Sequence, residues 1–181
     1  MTAPRTATGE ASGQLRLRPP RHRVERRAIA HWSLRAALVS VGVVAVPAVA
    51  TVAVSVMAAA PPVAVGGLWA LTAVVAVPAL AVTLVMPQWR YRVHRWETTN
   101  EAVYTLAGWF WQEWRVAPMS RIQTVDTQRG PLQRLFGLST VTVTTASAAG
   151  PLRIDGLDSE RAVAVAEHLT EVTQATEGDA T

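Results

Sequence analysis

The feature that most constrains this chain is a run of 51 residues, from Ala36 to Met86, without a single Asp, Glu, Lys or Arg. Helices and strands of a water-soluble core show apolar residues at periodic positions, with polar residues between them. An uninterrupted apolar stretch of more than about 18 residues is instead typical of a membrane-spanning helix. The run is long enough for two such helices, so the sequence predicts an integral membrane protein.

Two consecutive prolines divide this run into two equal parts. Pro61-Pro62 ends one helix and begins the next, because proline is tolerated in a helix only in its first turn. The predicted spans are residues 36–60 and 62–86, and each would be about 37 Å long, which exceeds the hydrocarbon core of about 30 Å. A turn this short permits only an antiparallel hairpin, with both outer ends on one side of the membrane.

Arginine flanks both outer ends of the predicted hairpin, whereas the connecting turn is uncharged. The flanking residues are Arg23, Arg26, Arg27 and Arg35 before the first span, and Arg90, Arg92 and Arg95 after the second. The positive-inside rule therefore predicts a multi-pass protein of the cell membrane with both termini in the cytoplasm. Trp32 and Trp89 lie just outside the spans, where tryptophan favours the membrane interface, so both are predicted to be interface anchors.

A cleaved signal peptide is the alternative interpretation of the first span. Ala58-Ala59-Ala60 resembles a cleavage site, and Arg26-Arg27 imitates a twin-arginine pair. Both the apolar run and the segment before it are longer than those of a signal peptide, so we favour a retained span.

Residues 1–30 are rich in Arg, Pro, Thr, Ala and Gly and poor in large apolar side chains. Such a segment buries too little apolar surface to offset its ordering entropy, so we predict a disordered, arginine-rich cytoplasmic tail. Its charge either sets the topology alone or also attracts anionic headgroups, by about 1 kcal/mol per arginine. No recognition motif accompanies the charge, so nucleic acid is not an expected partner. The use of arginine without any lysine suggests a bacterial, GC-rich gene.

After Gln88 the apolar runs give way to short segments of β character, separated by Gly, Pro and Asn. The predicted strands are residues 91–98, 102–109, 111–117, 122–128, 139–145 and 152–157, with one helical turn within residues 132–138. Asp158 or Ser159 can cap a final helix that continues to about Thr173. The predicted organisation is therefore a hairpin at residues 31–88, a β-rich domain at residues 89–174 and a polar tail at residues 175–181.

Several motifs in this second half suggest a family. They are Arg90-Tyr91, Gly108-Trp109, Arg121-Ile122-Gln123-Thr124-Val125 and the most specific one, Gly130-Pro131-Leu132-Gln133-Arg134-Leu135-Phe136-Gly137-Leu138. Through these motifs, the stretch from Arg90 to about Val172 resembles the PH-like domain of YdbS-type bacterial membrane proteins. The resemblance implies an α+β membrane protein, in which a two-helix transmembrane hairpin precedes a PH-like antiparallel β-sandwich or barrel capped by a C-terminal helix. It implies no established activity. One departure is Ser147, where the family commonly has glycine, which puts only a local turn in doubt.

The Gly-Pro motif also has a direct physical interpretation. Gly130 and Gly137 bracket a tight connection whose apolar residues are expected to close one end of a small barrel. These residues are Leu132, Leu135, Phe136 and Leu138, with Phe136 buried and Arg134 pointing outward. A ligand-binding loop is the alternative.

The densest aromatic cluster is Trp109-Phe110-Trp111, with Trp114 close by. Alternate residues of a strand face opposite sides, so Trp109 and Trp111 are expected to share one face. The favoured interpretation is core packing with one exposed tryptophan. The alternative is an aromatic wedge that rests in lipid headgroups or on a partner.

The sequence contains no pattern typical of an enzyme, so we predict a non-catalytic protein without metal or other cofactor. Cysteine is absent, and the four histidines, His22, His31, His94 and His168, lie in unrelated settings. Asp126 and Asp155 lack a partner pattern for acid–base chemistry. No glycine-rich loop resembles a phosphate-binding motif, and no small-molecule substrate is evident.

The leading functional hypothesis is a membrane protein that presents a cytoplasmic PH-like module for protein interaction or complex assembly. Its expected partners are the lipid bilayer and other membrane proteins or a second copy. One alternative is an anionic-lipid-sensing module, and another is an accessory subunit of an enzyme or transporter complex. The candidate membrane or partner contacts are Arg121, Arg129, Arg134, Trp109 and Trp111.

Overall fold

Two long antiparallel helices form the first part of the computed structural model, which describes residues 19–58 and 60–178. Helix α1 is Arg27–Met57 and helix α2 is Pro62–Val93, and both are long and apolar enough to span a membrane. Two hydroxyl pairs join them, Ser40 with Thr83 at 2.8 Å and Thr51 with Thr72 at 3.5 Å. The end of this hairpin that carries Arg27 and Val93 is called the open end below.

The remaining elements form the β-rich module. They are β1 (His22–Arg23), β2 (Arg95–Thr98), β3 (Ala102–Gly108), β4 (Gln112–Pro118), β5 (Ile122–Gln128), α3 (Pro131–Leu135), β6 (Leu138–Thr145), β7 (Leu152–Asp158) and α4 (Ser159–Gly178). A 3-10 turn, Met119–Arg121, connects β4 to β5. The predicted strands 102–109 and 122–128 therefore agree with β3 and β5 to within one residue.

Two antiparallel sheets enclose the core of the module. One has the strand order β1-β2-β3-β4, the other has the order β5-β6-β7, and α4 packs across β5 and β6. The largest fully buried apolar side chains of the core are Leu138, Leu157, Leu169, Val103, Val141 and Val143. This arrangement confirms the predicted antiparallel β module with a C-terminal helix after a helical hairpin.

The segment before the hairpin belongs to the module, which corrects part of the predicted tail. His22 and Arg23 form β1 and pair with Trp96 and Arg95 of β2, and helix α1 already begins at Arg27. Residues 19–30 are therefore ordered, because their few apolar side chains have a sheet to pack on. The prediction of disorder for residues 1–18 lies outside the described residues, as does the tail beyond Gly178.

Helix α2 continues to Val93, so the predicted strand 91–98 begins only at Arg95. Tyr91 and Val93 favour a strand by composition, but adding a residue to an existing helix costs far less than starting a new element. His94 ends the helix, with its backbone N–H donating to the carbonyl of Arg90 at 2.8 Å. The module is thus joined to the membrane hairpin by helix and not by a flexible linker.

Candidate functional site

The aromatic run forms the exposed turn between β3 and β4, which corrects the prediction of a mostly buried strand. Trp109, Phe110 and Trp111 are 42%, 71% and 82% exposed, and Trp114 is exposed as well. The rings pack on one another, with centroids 6.0 Å apart for Trp109–Phe110 and 5.3 Å for Phe110–Trp111. We call residues 109–111 the aromatic turn.

Gly108 explains why the strand ends there. Its φ of +116° lies in the region that favours glycine, and a Cβ at this position would lie 1.8 Å from the carbonyl oxygen of Trp111. Only glycine permits so tight a turn. A glycine between two β-rich segments is a hairpin signal, and at this position it is a stronger indicator of structure than the alternation of Trp109 and Trp111.

The aromatic turn lies at the end of its sheet that is nearest to the open end of the hairpin. Strand β2 starts directly after α2, and its first residue, Arg95, pairs with Leu106 of β3. Strand β3 extends two residues beyond Leu106 and then enters the aromatic turn. Strand β3 also contacts α2. The most exposed aromatic residues of the module are therefore close to the end of a membrane-spanning helix.

The three candidate arginines do not form one patch. Arg121 precedes β5 and Arg129 follows it, so the strand separates them by roughly 20 Å at about 3.3 Å per residue. Arg129 precedes α3 and Arg134 lies in it. Helix α3 contacts α1 at the open end of the hairpin. Arg121 lies at the opposite end of the module, although all three side chains are exposed as predicted.

The Gly-Pro motif closes the module only in part. Leu138 is fully buried, Leu132 and Phe136 are half-buried, and Leu135 is 75% exposed. The half-buried Phe136 lies against His31 of α1, with ring centroids 6.1 Å apart. The expectation of a fully apolar plug is wrong, because a helix of five residues turns only one face toward β6 and α1.

Trp32 is a core residue of the module and not an interface anchor. Its side chain is 3% exposed and packs with Val24, Ala28 and the core strands. The guanidinium of Arg90 lies 4.4 Å from its ring centroid, and the ring of His94 is 5.2 Å away. Trp89, by contrast, is 48% exposed, and its place at a membrane interface stays a prediction.

A cavity of about 380 Å³ lies between the open end of the hairpin and the module. Three arginines from separate elements line it, Arg35 of α1, Arg90 of α2 and Arg153 of β7. Arg90 donates to Asp155 at 2.9 Å, and the same carboxylate accepts a hydrogen bond from Thr140 at 3.1 Å. We call this space the arginine cavity. It was missed from the sequence because its arginines lie more than 50 residues apart along the chain.

His94 is buried at the junction of hairpin and module. Its Nδ1 lies 3.1 Å from the carbonyl oxygen of Arg90, and the side chain is shielded by Trp32. Burial, and after it the positive charge of Arg90, lowers the pKa of His94 from 6.5 to about 4. The imidazole is therefore neutral at neutral pH, and its role is to pack the junction.

This shift of the His94 pKa predicts a module that loses stability in mild acid. Between pH 6.5 and pH 4 the unfolded chain binds a proton at His94 and the folded chain does not. The free energy of unfolding should therefore fall as the pH drops through this window, by about 3 kcal/mol in total. Unfolding of the detergent-solubilised protein at several pH values measures this loss, and His94→Gln should weaken the dependence. An unchanged slope in His94→Gln would contradict the assignment.

The described part of the chain contains no group of three or more His, Asp or Glu side chains that could hold a metal ion. Asp126 and His168 are exposed on β5 and α4, whereas Asp155 is engaged with Arg90 and Thr140. These residues are not brought together. The absence of catalysis stays a prediction.

Comparison with known proteins agrees with this architecture. A family model described as the bacterial PH domain matches residues 36–173, which include most of α1 and nearly everything after it. The transmembrane protein YdbS of Bacillus subtilis (strain 168) is 29% identical over 114 residues, 63% of this chain and 67% of that protein. No solved structure matches the chain. The similarity thus covers the membrane helices together with the β module.

Proposed function

This chain belongs to the bacterial PH domain family, and we propose that its module is a non-catalytic sensor of the anionic lipid surface at the cytoplasmic leaflet. The observation that carries this proposal is the aromatic turn, which is exposed and lies beside the end of a membrane-spanning helix. Lipid sensing is therefore favoured over complex assembly, the leading hypothesis from the sequence.

Tryptophan and phenylalanine at this position suit a membrane interface. Their rings gain free energy by leaving water, and the indole N–H still finds polar partners among the headgroups. Large exposed apolar patches are otherwise uncommon on soluble surfaces and mark protein or membrane contacts. Arg129 and Arg134 add positive charge at the same end of the module, where anionic headgroups attract each arginine by about 1 kcal/mol.

The proposed topology places the open end of the hairpin, and with it the module, in the cytoplasm. Arg35, Arg90 and Arg92 lie at this end, and the turn between the helices carries no charge. We predict that reporter fusions after residue 20 and after residue 175 both give the cytoplasmic signal. A periplasmic signal from either fusion would show that the hairpin is oriented differently.

We predict that the aromatic turn is inserted in the bilayer interface. The chain contains no cysteine, so a single introduced cysteine can be labelled without background. A fluorophore on Phe110→Cys, with the protein in nanodiscs, should be shielded from a water-soluble quencher and quenched by brominated lipid. The matched control is Ser147→Cys, in the exposed loop at the other end of the module. Its fluorophore should stay accessible to water, and equal accessibility at both positions would overturn the proposal.

Protein interaction is the second candidate, and an unpaired strand edge favours it. Strand β4 pairs only with β3 among the described residues, and a cavity of about 250 Å³ lies between β4 and the loop that connects β6 to β7. An extended segment of a partner could add to such an edge through backbone hydrogen bonds. The accessory-subunit hypothesis is a special case, in which that partner carries the chemistry.

Crosslinking in native membranes tests this second candidate. Trp114 lines the cavity beside β4 and is exposed. If a protein binds there, Trp114→Ala should remove it from the crosslinked material, whereas Trp111→Ala should leave it in place. Loss of the crosslinked partner in both variants would point to the aromatic turn as its binding site. If the partner is still crosslinked in both variants, the edge of β4 is excluded.

A further inference from the structure

We propose that the arginine cavity binds the phosphate of one anionic phospholipid, whose acyl chains follow the groove between α1 and α2. This inference rests on the proposed contact of the module with the membrane, and it names the ligand class and the site. The site is distinct from the aromatic turn, because its lining residues come from α1, α2, α3, β6, β7 and the end of β5, and none comes from residues 109–111.

The charge of the cavity favours a phosphate. Three guanidinium groups face a single carboxylate, that of Asp155, so two positive charges remain in excess. Arg35 and Arg153 are exposed, and neither has an ion-pair partner within the described ranges. Arginine presents a planar fork of donors that matches a phosphate, and such paired hydrogen bonds are stronger than neutral ones.

A histidine in the cavity wall also lacks a partner. His31 lines the cavity, is 8% exposed, and its Nδ1 has no hydrogen-bond partner among the described residues. A buried polar atom without a partner costs free energy, and a small rotation of the ring toward the cavity would let a bound phosphate supply that partner. Gln128, Gln133 and Thr140 supply further polar groups to the same wall.

The shape of the neighbouring space selects a lipid over a free phosphate. A second cavity of about 310 Å³ shares Trp32, Arg35 and Arg90 with the arginine cavity, and its other walls include Val39, Val82 and Met86. Through Ser40 it adjoins a groove of about 420 Å³ lined by Val41, Val44, Ala76 and Leu80. The polar arginine cavity at the open end is thus continuous with an apolar groove along the two spans. A phospholipid needs this arrangement, because its headgroup is polar and its acyl chains are apolar.

Native mass spectrometry of the full-length protein in neutral detergent tests this site. Titration with phosphatidylglycerol should give saturable binding that exceeds the binding of phosphatidylcholine. The variant Arg35→Gln/Arg153→Gln should weaken phosphatidylglycerol binding by about 30-fold, since each arginine contributes about 1 kcal/mol. The control Arg92→Gln/Arg121→Gln removes the same charge from exposed positions outside the cavity and should change binding by less than about threefold.

Several outcomes would overturn the inference. Equal losses in both double variants would indicate diffuse surface charge, and equal binding of the two lipids would exclude an anionic site. Protection from thermal unfolding by glycerol phosphate as strong as that by phosphatidylglycerol would indicate a free-phosphate site. Thermal unfolding of each variant in the presence of phosphatidylcholine is the control that shows whether the variant is folded. The Phe110→Cys probe reads insertion of the aromatic turn and not lipid binding in the cavity, so an inserted probe together with equal losses in the two double variants would reject this site alone. A water-accessible probe would instead reject the proposed function.

Discussion

Replacing Trp32 with alanine should lower the free energy of unfolding of the module by about 3–5 kcal/mol, as for other fully buried aromatic residues. The indole is 3% exposed and packs between α1, the end of α2 and strand β7. Its loss would leave a cavity where hairpin and module meet, and it would remove the ring beneath the guanidinium of Arg90. Denaturant unfolding of the solubilised protein, followed by β-sheet circular dichroism, measures the effect.

Trp89→Ala is the matched control for this substitution. Trp89 lies at the same end of the hairpin but is 48% exposed, so its replacement should change the stability of the module by less than about 1 kcal/mol. Similar losses in the two variants would contradict the assignment of Trp32 to the core. They would instead support the expectation from sequence that both tryptophans anchor the helices at an interface.

Gly156→Ala should destabilise the module by about 2–5 kcal/mol, for two separate reasons. Gly156 has a φ of +76°, a conformation that costs any other residue about 1–2 kcal/mol. The new Cβ would also lie 2.9 Å from the Cβ of Ala28, which is fully buried on α1 and has no rotamer to change. Helix α1 would have to move away from β7, which also strains the hydrogen bond from the Glu25 N–H to the Gly156 carbonyl.

Gly150→Ala separates these two causes. Gly150 has a φ of +77°, but its Cβ would meet no atom within 4 Å. It should therefore cost only the conformational strain of about 1–2 kcal/mol. The difference between the two variants, measured by the same unfolding experiment, reports the tight contact between α1 and β7. Equal costs at the two positions would show that α1 yields easily and that the junction is loose.

The tight junction matters for the proposed function. An ion pair between Arg27 and Asp158, the burial of Trp32 and the close approach at Gly156 all hold α1 against β7. The height and orientation of the module above the bilayer are therefore set by the hairpin. In the proposed function, such a rigid connection would bring the aromatic turn and the arginine cavity to the membrane surface together, whereas a flexible linker would present them independently.

Several features of this protein follow from local patterns in its sequence. The absence of charge over residues 36–86 predicts two spans, because an apolar run of this length is typical of membrane-spanning helices. The alternation of Thr and Val in residues 139–145 and the turn at Gly130-Pro131 likewise predicted β6 and the start of α3. Each of these signals lies in one continuous stretch of the sequence, so it can be recognised without knowing which distant residues meet.

Which side chains meet in the folded protein does not follow from local patterns. Trp32 beside a span has the same local pattern whether it faces lipid headgroups or a protein core, and only the folded strands around it distinguish the two. Arg35, Arg90 and Arg153 are far apart along the chain and carry no shared motif, so nothing local predicts a common cavity. Their convergence follows from α1, α2 and β7 packing at one junction, because long-range contacts depend on the sum of many side-chain interactions.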